Sequence, residues 1–459
     1  MKVLLTGATG LIGRSLCREL LRLGHPLVVL GRSTEPAFRR RFSFPCEYYQ
    51  WADNENTLPP QDAFRDVGAV IHLAGDSIAG ARWTEERKKS IRNSRVLGTR
   101  NLIEGILKLE TRPERIFSAS AVGFYGDRGT EELTESSRAG SGFLAEVCVD
   151  WENELERARA SGIPTIALRT GIVLDHHSKL VEQLHAVFRN YGGGKLGSGE
   201  QMMSWIHLKD WIGAILYLLR KPPQSGAVNF VAPRPVSNSE FTRAFASALK
   251  VPAFFTVPRF ALKVTLGEMS ALALEGQSVI PRTLIDLGFQ FQYPNIRTAL
   301  TDLFSWKTRL SENLMLQEQW VPRPLEEVFP FFIDEKNLEA LTPKWLNFKV
   351  EGKSTESLDS GSLIHYKLNI HGLPMCWTSR ISRWDPPYEF ADEQIRGPYR
   401  KWFHVHGFEP LAGGTLLSDR VVYDLPVWRL GDWFAGAFVA RDVKKIFQFR
   451  SEQIKTIFS

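Results

Sequence analysis

A glycine-punctuated turn between a buried strand and an amphipathic helix constrains this chain more than any other stretch. Lys2 to Thr6 is a short apolar strand, and Gly7, Gly10 and Gly13 open a helical pattern running from Leu11 to Leu23. In such a turn the first glycine permits the tight bend, the second lets a pyrophosphate approach the backbone, and the third lets helix and strand pack closely. The free N–H groups at the helix start favour a diphosphate. A second strand, Pro26 to Leu30, ends in Gly31-Arg32-Ser33. An acid there would hydrogen-bond the ribose 2′-hydroxyl of NAD, whereas the guanidinium of Arg32 suits a 2′-phosphate, so the residues predict NADP. The plain alternative is a glycine-rich turn in an α/β protein without a dinucleotide. The order strand, turn, helix, strand, arginine favours the first reading.

A chain of 459 residues exceeds one ordinary core, which sets two or three domains as the expectation. Its 57 Lys and Arg face 51 Asp and Glu, a balance that does not indicate a nucleic-acid partner. The local run Arg39-Arg40-Arg41 either extends the 2′-phosphate site or lies on a solvated loop. Cys17, Cys46, Cys148 and Cys376 are scattered, which predicts free thiols in a reducing compartment. The apolar start resembles a signal peptide only until Thr6 and the glycines interrupt it, and no apolar run is long enough for a membrane span. The expected location is cytoplasmic.

Further apolar runs follow at Ala69 to Leu73, Arg115 to Ser118 and Thr165 to Leu168, separated by helical patterns at Thr84 to Lys108 and Ser141 to Ala160. Strands alternating with helices predict a doubly wound parallel sheet, with ligands beyond the strand C-termini. From about residue 175 the rhythm changes. A helix near Ser178 to Asn190, a glycine-rich stretch from Gly192 to Gly199, a helix around Asp210 to Leu219, Val228 to Val231, a helix from Asn238 and an irregular stretch from Pro281 to Leu300 predict a small substrate lobe. The first domain is expected over 1–308, with the lobe at about 175–308. After a polar joint at Lys307 to Asn313, a strand, helical segments, several alternating strands and a final helix from about Gly431 to Ile457 predict an α+β domain over 314–459.

The first 300 residues resemble the extended short-chain dehydrogenase/reductase superfamily, through Thr6-Gly7-x-x-Gly10-x-x-Gly13, Leu73-Ala74-Gly75 and Trp205-Ile206-His207-x-x-Asp210. Within it they resemble a nucleotide-sugar-epimerase-like branch, through Arg82-Trp83-Thr84-Glu85 with Ser94-Arg95, Ser120-Ala121-Val122-Gly123-x-Tyr125-Gly126, and Gly193-x-x-x-Gly197-Ser198-Gly199. The resemblance implies an NAD(P)-binding Rossmann fold and cofactor contacts from Gly7, Thr9, Gly10, Leu11, Ile12, Gly13, Gly31, Arg32, Leu73, Ala74, Gly75 and Arg95. In the superfamily a tyrosine passes a proton while the cofactor exchanges a hydride, and a lysine one turn later lowers the tyrosine's pKa. The corresponding helix here is Ser141 to Ala160, which contains neither residue; Leu144 and Cys148 take the two places. Tyr191 with Lys195 and Tyr217 with Lys221 match the spacing but not the context. Two readings therefore stand. Either Tyr125, with Ser120 polarising a carbonyl or hydroxyl, replaces the missing pair, or the domain binds NADP(H) without turnover and reports redox state. Tyr125 as a packed turn aromatic and Cys148 as a small core residue are the plain alternatives to any chemistry. His207 and Asp210 are expected to organise a loop over the cofactor, and Asp76 to face substrate or cap a turn.

Leu314 to the end resembles the START/polyketide-cyclase-like (SRPBCC) ligand-binding superfamily, a helix-grip fold. The residues that carry this are Pro322 and Pro324-x-Glu326-x-Val328-Phe329, Asn337-Leu338, Gly397-Pro398-Tyr399, Trp402-x-His404-x-His406-x-Phe408 and Gly413-Gly414-Thr415. The resemblance implies an apolar ligand between sheet and helix. Alternation places Trp402, His404, His406 and Phe408 on one face, where the histidines are expected to line a cavity or to be satisfied core residues rather than, with His365 and His371, to bind a metal, so no metal is expected. The aromatic stretch Trp428 to Phe438 either lines a pocket or forms the helix's core face. Together these readings predict an NADP-dependent oxidoreductase, epimerase type included, acting on a small-molecule substrate, with a second domain that takes an apolar ligand. The alternative is a non-catalytic NADP(H) sensor.

Overall fold

Strands whose residues are apolar on both faces can be satisfied only in the middle of a layered sheet. Lys2–Thr6 (β1), Leu27–Gly31 (β2), Glu47–Gln50 (β3), Val67–His72 (β4), Arg115–Ala121 (β5), Thr165–Thr170 (β6) and Gly226–Phe230 (β7) form a parallel sheet of order β7-β6-β5-β4-β1-β2-β3, with β7 and β3 as its outer strands. The computed structural model describes residues 1–370, 372–425 and 430–459, without the side chains of 430–437. Crossovers run through Leu11–Arg22 (α1), Glu85–Leu107 (α2), Phe143–Ala160 (α3) and Leu208–Arg220 (α4). Thr84 starts α2 by accepting the Arg87 N–H. Leu102, Ile103 and Ile106 of α2 and Leu155 and Ala158 of α3 pack on Leu4, Val70 and Ile116 of the sheet. Strand order reverses between β1 and β4, which opens a crevice at their C-terminal ends, directly beside the start of α1.

The lobe is built from two-stranded ribbons, among them 172–174 with 205–207 and 194–196 with 255–257, and from short helices. Two expectations need correction. The strand around Val228 belongs to the main sheet as its outer strand rather than to the lobe, because α4 returns it parallel to β6. The stretch from Pro281 to Leu300 is not irregular; it holds helices Arg282–Asp286 and Ile296–Phe304. Pro281 stands at the N-cap of the first, and Asn295 caps the second by accepting the Arg297 N–H.

The chain divides into two compact units, Met1–Phe42 with Cys46–Ser305, and Ser43–Pro45 with Trp306–Ser459. The second unit is an antiparallel sheet of Asn313–Val321 (β8), Lys349–Lys353 (β9), Leu363–Ile370 (β10), Leu373–Asp385 (β11), Glu389–Arg396 (β12), Lys401–Leu411 (β13) and Gly414–Asp424 (β14), in the order β8-β14-β13-β12-β11-β10-β9. Two helices lie against it, Leu325–Ile333 (α5) and the long Leu430–Phe458 (α6). Phe447, Ile454 and Phe458 of α6 pack on Val421, Leu417 and Phe408 of the sheet, the arrangement of a helix-grip fold. Among the described residues no helix is long and apolar enough to cross a membrane.

Candidate cofactor-binding site

The turn after β1 leaves no room for side chains at two of its three glycines. Gly7 has φ +74°, and a methyl group on it would lie 2.8 Å from the Leu73 carbonyl carbon. A methyl at Gly13 would lie 2.2 Å from the Gly7 carbonyl oxygen, an impossible contact with backbone. At Gly10 the nearest atom would be the Gly7 oxygen at 3.3 Å, so this glycine keeps one side of the turn clear rather than closing a contact. Thr9 and Gly10 are exposed, and Leu11 and Ile12 half-buried. The N-cap of α1 receives no side-chain hydrogen bond, and no acidic residue occupies its first turn. A helix start without a side-chain cap or an acid in its first turn is one whose backbone N–H groups can meet an anion.

The neighbouring wall is pinned by a hydroxyl. Thr6 Oγ1 accepts the N–H groups of Leu73 and Ala74, each at 3.1 Å, and lies 2.7 Å from His72 Nδ1. His72 Nε2 lies 3.1 Å from Thr99 Oγ1. Burial holds the His72 imidazole down at about 4, so it links the two hydroxyls as a neutral ring. This chain fixes Leu73, Ala74 and Gly75 against the glycine turn.

At the end of β2 the Arg32 side chain is 70% exposed, with its Nη1 3.6 Å from Asp76 Oδ1. Asp76 also accepts the Ser90 hydroxyl at 2.6 Å and has Arg87 Nη1 at 3.5 Å. Arg95 extends under this group: it donates to the Ile91 and Asp76 carbonyls and its Cζ lies 5.3 Å from the Trp151 ring centre. Gly75 is where that guanidinium passes, 3.4 Å from a methyl placed there. Two arginines, Arg32 and Arg87, thus flank one carboxylate at the rim, while Arg95 holds the Asp76 backbone carbonyl. Asp76, expected to face substrate or cap a turn, instead pairs with these cations and with Ser90.

Deeper along the same strand ends lies a buried polar chain. Ser120 on β5 donates to Glu152 Oε1 on α3 at 2.6 Å. Glu152 takes both Nε and Nη2 of Arg169 on β6, at 2.9 and 2.8 Å. Arg169 Nη1 donates to the Tyr125 hydroxyl at 2.9 Å, which in turn donates to Asn229 Oδ1 on β7 at 2.7 Å. Tyr125 is fully buried, and burial raises its pKa against the opposing pull of Arg169. Ser120 and Tyr125 are therefore brought together, but both hydroxyls are engaged with protein groups. Leu144 and Cys148 do face the turn after β5, since a methyl at Gly123 would lie 3.3 Å from Leu144 Cβ and 3.8 Å from Cys148 Sγ. Burial, and then Glu152, push the Cys148 thiol up to about 12, which leaves it protonated and unreactive.

Glu152, Arg169 and Asn229 were not read from the sequence. The available signal was Arg169 itself, a charge inside an otherwise apolar parallel strand, which demands a buried partner. Asp210 accepts the N–H groups of Gln292 and Tyr293, and His207 caps α4 through the Lys209 N–H, so this pair ties down the segment around Tyr293. Tyr217, one of the spacing matches, donates to the Leu287 carbonyl.

In the second unit a cavity of about 190 Å³ is lined mainly by apolar side chains, with Asp392, His404, His406 and Arg450 among them. His365 is exposed and bonds Thr378, so it does not join the other histidines; His371 lies outside the described residues. Of the stretch Trp428 to Phe438, only the side chain of Phe438 is described, and it is exposed.

Residues 3–230 match the model of the NAD dependent epimerase/dehydratase family. Residues 257–303 match a domain of unknown function (DUF1731), and 321–449 match polyketide cyclase / dehydrase and lipid transport. An epimerase family protein SDR39U1 homolog, chloroplastic, of Arabidopsis thaliana is 36% identical over 302 residues, 65% of this chain and 86% of that protein. The epimerase family protein YfhF of Bacillus subtilis is 34% identical over 306 residues, 66% of this chain and 98% of that protein. Among solved structures, human epimerase family protein SDR39U1 (isoform 2) with NADPH superposes with a TM-score of 0.59 at 29% identity, covering 66% of this chain and 99% of that one.

Proposed function

We propose, for a chain that belongs to the epimerase family with its NAD(P)-dependent, short-chain-dehydrogenase-like fold, that the first unit binds NADP(H) and serves an oxidoreductase reaction on a small molecule. The observation that carries this reading is the pairing of an uncapped, acid-free start of α1 with the exposed Arg32 at the end of β2. On this reading Gly7, Thr9, Gly10, Leu11, Ile12 and Gly13 receive the diphosphate. Gly31 and Arg32 receive the phosphorylated ribose, and Leu73, Ala74, Gly75 and Arg95 form the facing wall. The NADPH of the human relative supports the choice of NADP over NAD. The four free cysteines suit a reducing, cytoplasmic setting.

When bound, the dinucleotide supplies hydride exchange at its nicotinamide. The chain's part is to place a proton, and Tyr125 is the proposed donor, with Ser120 beside it. Burial keeps the Tyr125 phenol protonated, which suits donation in carbonyl reduction better than abstraction. To donate, its hydroxyl must exchange Asn229 for a substrate oxygen. A second reading, a non-catalytic NADP(H) sensor, is favoured by one specific finding: the hydroxyls of Ser120 and Tyr125 are already bonded within the protein. The apolar cavity of the second unit supports binding of a hydrophobic small molecule there.

Two measurements test these readings. Gly13→Ala should abolish the calorimetric binding signal of NADPH, because the added methyl would displace the Gly7 carbonyl from the turn; retained binding would remove the turn from the site. NADPH oxidation across a carbonyl panel should fall roughly 100-fold or more in Tyr125→Phe with NADPH affinity unchanged, the ordinary loss of a general acid. Unchanged turnover would remove Tyr125 from the reaction. Tight NADPH binding with no turnover on any carbonyl would support the sensor.

A further inference from the structure

We propose that Asp392, His404 and His406 of the second unit bind a divalent transition-metal ion at the polar end of its cavity, with Asp419 orienting the His404 imidazole. The strand register assembles the group. Asp392 on β12 stands opposite His404 on β13, and His406, two residues on and on the same face, stands opposite Asp419 on β14. One donor atom from each of Asp392, His404 and His406 lies within 4.8 Å of the other two. Asp392 Oδ1 is 3.1 Å from His406 Nε2 and 3.8 Å from His404 Nδ1. Metal–ligand bonds of about 2.0–2.2 Å put adjacent donors of a tetrahedral shell roughly 3.3–3.5 Å apart. The observed separations straddle that range, so an ion can enter with small side-chain shifts.

The nitrogens facing away from this point are also provided for. His404 Nε2 and His406 Nδ1 lie 2.9 and 3.4 Å from the same oxygen, Asp419 Oδ1. A carboxylate that accepts the second ring N–H of a liganding histidine fixes its tautomer and raises its basicity. Here Asp419 does this for His404, while His406 Nδ1 lies between Asp419 Oδ1 and Arg450 Nη2, the latter at 3.3 Å, and Arg450 Nε stands 3.6 Å from the other Asp419 oxygen. Asp392 is held in turn by Ser379, whose Oγ donates to Oδ2 at 3.2 Å and accepts from Trp377 Nε1 at 3.0 Å. Two imidazoles and one carboxylate suit zinc, iron, copper or nickel better than magnesium or calcium. The same cavity is lined by apolar side chains such as Phe332, Leu341 and Ile364, so an apolar molecule held there could bring an oxygen to the ion.

The test uses the full chain, freed of any affinity tag and stripped with a chelator, then titrated with Co²⁺. One cobalt per chain with visible ligand-field bands is expected, together with a raised melting temperature that the metal confers on the wild type. Asp392→Asn and His406→Ala should lose the bands. Asp419→Asn should keep them with affinity weakened about 10- to 100-fold, the usual effect of removing such a partner. Failure of the wild-type chain to hold cobalt would overturn the site without any variant. Equal bands in folded Asp392→Asn and His406→Ala, checked by near-ultraviolet dichroism, would overturn the assignment of ligands.

Discussion

Arg32→Asp is expected to raise the dissociation constant for NADPH about 100-fold, ~2.7 kcal/mol, while that for NADH changes by no more than a few-fold. The magnitude follows from the chemistry lost. A guanidinium meeting a phosphate forms charge-assisted hydrogen bonds, worth roughly 1.5–3 kcal/mol together once the ligand has covered them. Arg32 is available for that role because its side chain is largely exposed and its neighbour Asp76 is also served by Ser90 and Arg87. The carboxylate would therefore keep partners when Arg32 turns to a ligand. NADH offers the same diphosphate to the start of α1 but no 2′-phosphate, so it reads the turn alone. Calorimetric titration of both dinucleotides against both proteins gives the comparison. An equal loss for NADH and NADPH would show that Arg32 supports the turn rather than the phosphate.

The parts of this site that sequence alone could deliver are those where backbone geometry selects the residue. Gly7 and Gly13 are forced by contacts with the Leu73 and Gly7 carbonyls, and such contacts recur wherever a strand meets a helix in this way. The strands β1, β4 and β6 announce themselves because burial on both faces demands continuous apolar runs. β3 does not: Glu47–Gln50 is a four-residue outer strand, two tyrosines between polar residues, none of them buried, so it carries no apolar run. Long-range pairing is hidden more deeply. Glu152 lies on a helix and looks like any solvated acid there, yet its partner Arg169 comes from a strand and Ser120 from another. In the second unit, alternation along β13 placed His404 and His406 together, but their carboxylate partners belong to β12 and β14. Only the register of three strands reveals them. The candidate ligands nearest in the sequence reading, His365 and His371, carried no such information.

The buried chain from Ser120 to Asn229 supplies the second large effect. Glu152→Ala is expected to destabilise the first unit by about 3–5 kcal/mol, the cost of leaving a buried charge without its partner. Arg169 has a side chain only 6% exposed, and Glu152 accepts two of its N–H groups. With the carboxylate gone, its remaining hydrogen-bond partners among the described residues are the Tyr125 hydroxyl and the Glu135 carbonyl, with the Phe124 ring centre 3.4 Å from its Cζ, and none of these carries charge. A domain is stable by about 5–15 kcal/mol, so this single change would remove a large fraction. Urea denaturation, read at the transition of the first unit, measures it. The double variant Glu152→Ala with Arg169→Met separates the charge from the packing. If the loss arises from an orphaned guanidinium, removing that guanidinium should restore most of the stability, because a buried ion pair replaced by apolar groups is often neutral. If the double variant is as unstable as the single one, then Glu152 acts by holding α3 against β5 and β6, and the ion pair is incidental. A loss below about 1 kcal/mol in Glu152→Ala would mean that water reaches Arg169. In that event Ser120 and Tyr125 would stand closer to solvent, and to any substrate, than their burial indicates.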